Sequence, residues 1–198
     1  SDFECHIQTD AQRIAQNNSL LSSGPGDIDD QKLRKYRLAL SCTGEYAQNF
    51  AGTGTEAQQK TNVLAAMVTS INRVNEIYER DLGIRLLLVA NNDEVIFLNP
   101  NTDPWNNEYN TTTAQTLDNI IGVSNYDIGH NYNDSGGGNA GCLGCVCAAV
   151  SQNNFHKGRG WTGSNNPVGD PFYIDYVAHE MGHQFYGFHT MNRCSRSG

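Results

Sequence analysis

Residues 179–183 read His-Glu-Met-Gly-His. On an α-helix, His179 and His183 project within about 40° of one another and can take two sites of a tetrahedral zinc with Zn–N of about 2.0–2.1 Å. Glu180 lies about 60° round from His183, too far to ligate but near enough to accept a proton from metal-activated water. A third ligand is needed. No Asp or Glu follows Glu180, and His189 stands beyond Gly187, where a helix can end and the chain can swing back. In a shuffled chain of this composition H-E-x-x-H arises roughly once in 150 trials, and the added His roughly once in several thousand, so the spacing is signal. Residues of these types at these spacings do metal-assisted hydrolysis.

Such a constellation needs a helix with one apolar face. Asp170-Pro171 gives the start signal, with Asp as N-cap and Pro at the first helical position. Ile174, Val177, Ala178, Met181 and Phe185 share the side opposite the two His and predict a core-facing stripe. Upstream, Lys35–Cys42 alternates like a strand, and Glu56–Arg80 is the best amphipathic helix in the chain. Ile84–Ala90 is a continuous apolar run suited to a strand covered on both faces. Glu94–Leu98 reads as a short strand, Thr113–Ile121 as a helix, Asp127–Tyr132 as a strand and Ser135–Asn139 as a Gly-rich loop. Leu143–Val150 is expected to be a strand with Cys145 and Cys147 on one face, and a loop should then run to Asp170. The alternation predicts an α/β fold with a twisted, mostly parallel sheet. Residues 1–31 are polar and aperiodic, a leading segment or linker.

Composition bounds the rest. The chain has 198 residues and a net charge of −8, which suits one domain or one with a short extension. Its 13 Lys and Arg are scattered, which argues against nucleic acid. No run approaches the ~18 apolar residues of a membrane span. Asn outnumbers Lys 23 to 4, and six Cys are compatible with disulfides in an oxidising compartment, so an exported protein is expected.

H-E-x-x-H with a third His at this spacing resembles the metzincin metallopeptidases. Further segments look like the reprolysin-like (adamalysin-type) zinc proteases secreted by bacteria: Tyr36-Arg37-Leu38-Ala39-Leu40, Cys42-Thr43-Gly44-Glu45-Tyr46, Arg73-Val74-Asn75, Val89-Ala90-Asn91-Asn92-Asp93, Asn125-Tyr126-Asp127-Ile128-Gly129-His130 and Asp175-Tyr176-Val177-Ala178 before the motif. The resemblance covers roughly residues 32–195. It implies zinc ligands at His179, His183 and His189, Glu180 as general base, and a metzincin-like upper subdomain whose one antiparallel edge strand pairs with an extended peptide substrate. That edge is expected within Gly141–Val150. Zinc is the implied cofactor, protein or peptide chains are the implied partners, and a monomer is expected.

Two departures stand out against the family pattern. Tyr186 occupies a position where the family has Gly, so either the helix runs one residue longer or the turn is strained, at about 1–2 kcal/mol. The chain also stops nine residues after His189, with Met191 too close to serve as the family's Met-turn, so residues 32–198 read as a catalytic domain lacking most of its lower subdomain. These departures leave an alternative open, a non-catalytic or latent zinc-binding module on the same scaffold. Cys5 is a candidate latency ligand, against a disulfide or free thiol. Cys142, Cys145 and Cys147 favour a disulfide or packed thiols over a second metal, and Cys42, Cys147 and Cys194 sit where the family commonly has Cys. Asp27–Asp30 could bind Ca²⁺, although a solvated turn is the default. His130 and His156 read as core or surface residues rather than ligands.

Overall fold

The structure is a computed structural model that describes residues 31–149 and 154–189. Cys5, Asp27–Asp30, Met191 and Cys194 lie outside the described residues. A five-stranded sheet runs in the order β2-β1-β3-β5-β4, built from β1 (Arg34–Cys42), β2 (Ile84–Leu88), β3 (Ile128–Asn133), β4 (Gly137–Asn139) and β5 (Gly160–Gly163). All neighbours are parallel except β4 and β5. The expected α/β architecture with one antiparallel edge strand is what the chain adopts. No helix among the described residues is long and apolar enough to cross a membrane.

β1 lies between β2 and β3, and its second half, from Leu38 to Cys42, is buried on both faces. After the short helix α1 (Gly44–Gln48) comes α2 (Glu56–Leu82), which carries the chain from β1 to β2. Thr55 and Gln58 form a reciprocal capping box at its start, and Gly83 ends it in the left-handed region at φ 62°. Val63, Met67, Ile71, Val74 and Tyr78 recur at helical spacing and are all buried against the sheet. Between Met67 and Tyr78, Asn75 turns its amide to the sheet: Nδ2 donates to Leu86 O at 2.9 Å, and Oδ1 accepts from Leu86 N at 2.7 Å. The helix is thereby pinned to the outer strand.

Five expectations need correction. Glu94–Leu98 is not a strand: a 3₁₀ turn spans Asn92–Val95, and Ile96 makes one isolated bridge to Cys42. Asn92 dictates this, because its side chain bonds both N and O of Leu40, at 2.8 and 2.9 Å, and turns the backbone there. The helix expected at Thr113–Ile121 begins earlier, as α3 (Asn110–Leu117), and continues as a π-helical turn, Asp118–Gly122. The described part of Leu143–Val150 is no strand, since Gly144 and Cys147 have φ of 70° and 66°, which extended chain excludes. The edge strand lies instead at Gly137–Asn139, within the expected Gly-rich loop, and β5 lies within the loop expected before Asp170.

Candidate metal centre

The last helix is assembled from three pieces: α4 (Asp170–Phe172), a π-helical stretch Tyr173–Ala178, and α5 (His179–Gln184). Gly169, not Asp170, is the N-cap, and Pro171 follows Asp170 in the first turn. The Asp170 carboxylate is taken by α2, where Arg73 Nε and Nη2 reach its two oxygens at 2.9 Å each. The π stretch ends at the first His of the motif, a common position for such irregularities. There the hydroxyl of Tyr78 on α2 donates to Ala178 O at 2.6 Å. Phe172, Val177 and Met181 are buried in the main core.

His179, His183 and His189 are brought together at the far side of this helix. Their Nε2 atoms lie 3.0–3.1 Å apart, pair by pair. A tetrahedral zinc with Zn–N of about 2.0–2.1 Å separates its ligand nitrogens by about 3.3–3.4 Å, so the triangle matches a zinc-sized ion to within a few tenths of an ångström. The protonation state fits too. Burial pushes the His183 imidazolium down to about 4, with help from the neighbouring His179 and His189 and against the Gly187 carbonyl. Burial and His189 likewise lower His179, while Asp175 opposes them. Both rings are therefore neutral at pH 7, the form that offers a lone pair. His183 Nδ1 lies 2.6 Å from Gly187 O, so the proton belongs on Nδ1 and the bare nitrogen is Nε2, which faces the cluster. Among the described residues no second group of His, Cys, Asp or Glu converges in this way.

Glu180 is fully buried and faces β4. Gly138 is the reason the edge strand can lie there: a Cβ at that position would overlap Glu180 Cγ. The carboxylate thus sits under the backbone of the only antiparallel strand among the described residues.

A buried polar network holds the helix from the sheet side. Gln184, the residue after His183, donates through Nε2 to Gly129 O at 3.0 Å and Lys157 O at 3.3 Å. Its Oε1 must then accept, and His130 Nδ1 lies 2.9 Å away. His130 Nε2 in turn accepts from the Thr162 hydroxyl at 2.8 Å. Burial lowers the His130 imidazolium to about 4, so the ring is a neutral connector. The other non-motif histidine among the described residues, His156, is buried with Nε2 3.2 Å from Asp118 Oδ2. Neither ring joins the cluster. The helix end is the strained one of the two foreseen: Tyr186 has φ 76°.

Sequence reading singled out the three His, which the fold brings together, and Glu180, but missed the residues packed around them. Gln184 carries no local signature, although its place next to a motif His was a usable hint. Gly138 could have been suspected from the run Gly136-Gly137-Gly138, because glycine also marks close approach of backbone to side chain.

A search of curated proteins returns no match. The sequence pattern of metallo-peptidase family M12B, reprolysin-like, matches residues 33–197, from the first strand to beyond the third His. With that match spanning most of the chain, and a histidine triad of zinc-like dimensions within it, the chain belongs to the reprolysin-like M12B metallopeptidases.

Proposed function

We propose that the protein is a secreted zinc endopeptidase in which His179, His183 and His189 hold the metal and Glu180 is the general base. The convergence of three Nε2 atoms within 3.1 Å of one another carries this reading, and the buried Glu180 directly follows the first of the three His on the same helix. Zinc bound by such a donor set acidifies water and polarises a carbonyl. The chain's own groups supply the rest. Glu180 takes the proton of the attacking water and returns it to the leaving amine, a transfer worth about 10²–10⁴-fold in rate. β4 is an edge strand, so a substrate in extended conformation can add to the sheet beside it. Because Gly138 lies against Glu180, a peptide paired with β4 brings its backbone next to the base. Unstructured protein or peptide chains are the substrate class, and the protein acts outside the cell as a monomer.

The test combines metal content with cleavage of casein. The wild type should bind one zinc per chain and cut casein, and Glu180→Ala should keep the zinc while turnover falls by about 10²–10⁴-fold. A protein that bound no zinc would sink the reading. Zinc binding without cleavage would favour a non-catalytic module on the same scaffold.

A further inference from the structure

The loop from Gly141 to Ala149 takes no part in the chemistry above, yet it grips the metal-binding helix at its end. α5 finishes in a Schellman turn, with Gly187 N donating to Gly182 O at 2.8 Å and Tyr186 N to His183 O at 2.9 Å. The position that takes the left-handed conformation in such a turn is ordinarily glycine, and here it is Tyr186. The last carbonyls of a helix need outside donors. They find them in the loop, where Gly144 N donates to His183 O at 3.0 Å and Val146 N donates to Gln184 O at 3.4 Å. Gly144 also lies so close to Tyr186 that a Cβ on it would overlap the ring. The Cys142–Cys145 disulfide closes the turn that carries Gly144, and Cys145 is fully buried.

What this grip holds matters to the imidazoles. The turn bears the Gly187 carbonyl, which receives the His183 Nδ1 proton at 2.6 Å, and from it the chain returns to His189. Partners of this kind set ring orientation, and their loss costs about 10–100-fold in metal affinity.

We propose that the Cys142–Cys145 loop is a redox-sensitive clamp on the metal site, positioning His183 and His189 through the turn at 184–187. The inference rests on the reading that the three imidazoles hold zinc. With the bridge closed, Gly144 and Val146 stay in register with the helix end. Reduction delivers two electrons and two protons to the two sulfurs, giving two thiols. A phosphine reductant is oxidised to its oxide in the same step, with the oxygen taken from water. The opened loop releases its grip, Tyr186 relaxes from positive φ, and the second and third imidazoles lose their fixed aim. A reducing compartment therefore keeps the metal site loose, and an oxidising one tightens it.

Zinc affinity is measured by chelator competition on the full chain in four forms. These are the oxidised protein, the protein reduced with tris(2-carboxyethyl)phosphine and desalted without air, Cys142→Ala/Cys145→Ala, and Cys147→Ser. Circular dichroism and metal-free melting accompany each. The reduced protein and the double variant should bind zinc at least about tenfold more weakly while keeping the folded spectrum. Cys147→Ser, which leaves the bridge intact, should match the oxidised protein. Equal affinity in all four forms overturns the clamp, and so does a loss shared by Cys147→Ser. Unfolding of the reduced protein also overturns it, since the bridge would then staple the whole fold; if only the double variant unfolds, the reduced protein decides. If even the oxidised protein binds no zinc, the metal reading falls and the clamp falls with it.

Discussion

Two regions of the molecule are held by different contacts, although Phe172, Val177 and Met181 of the last helix share one apolar core with β1, β2 and α2. In one, β1, β2 and α2 meet through Leu38, Leu40, Met67, Ile71, Val74 and Leu86, all at most 3% exposed. In the other, β3, β5 and the metal-binding helix meet through His130, Thr162 and Gln184, each fully buried and hydrogen-bonded. Apolar packing is non-directional and yields gradually when a shape changes. A buried polar network has one satisfied arrangement, and a partial version is worse than none. The region beside the histidines thus adds, to shared apolar packing, the interaction that fixes direction.

That division can be broken. Leu40→Ala on the apolar side should cost about 2–5 kcal/mol of folding stability, read by urea denaturation, and leave the zinc affinity of the folded fraction unchanged. A large loss of metal affinity from this variant would erase the contrast. On the polar side, the His130 ring is neutral in the fold and titrates near 4, against about 6.5 in the unfolded chain. Its stabilising contribution is complete above pH 6.5 and is lost as the pH falls towards 4, by about 3 kcal/mol in all. His130→Gln should flatten the pH dependence of the urea midpoint across that window. An unchanged slope would show that the ring is not the neutral connector described above.

Two smaller effects sharpen the picture. Gly138→Ala forces a methyl group onto the buried Glu180 Cγ and should lower turnover by about 10²-fold, with a loss of about 1–3 kcal/mol in thermal melting. Tyr78→Phe removes the donor to Ala178 O across the interface between α2 and the last helix, and should cost about 1 kcal/mol in denaturation. Equal melting of Tyr78→Phe and wild type would assign that contact to packing alone.

The same contrast governs what the sequence discloses. β1, α2 and β2 are legible because burial of one face leaves a period of 2 or 3.6 in the residues themselves. Expected bounds of Lys35–Cys42, Glu56–Arg80 and Ile84–Ala90 differ from the observed ones by two residues at most. The histidine cluster is legible because two of its three His share a helical turn. β4 and β5 are not legible: they are Gly-Gly-Asn and Gly-Trp-Thr-Gly, too short and too bare to carry a period. Glycine is there because neighbours come close, as at Gly160, whose Cβ would overlap His130 and Gln184. Those two residues are 54 apart in the chain, so their hydrogen bond leaves no local trace. The apolar run after Cys142 misled for the opposite reason, since its hydrophobicity covers a helix end rather than pairing in the sheet.

The shortness of β4 has a further consequence. A long bare edge would recruit a second copy of the protein as readily as a peptide, and growth of that kind ends in aggregates. Three residues, two of them without side chains, offer only a few backbone bonds to anything that settles there. Such an edge cannot by itself retain a visitor. On the proposed reading, whatever stays must also be gripped at the histidine cluster, and once that grip is spent the cleaved ends are free to leave.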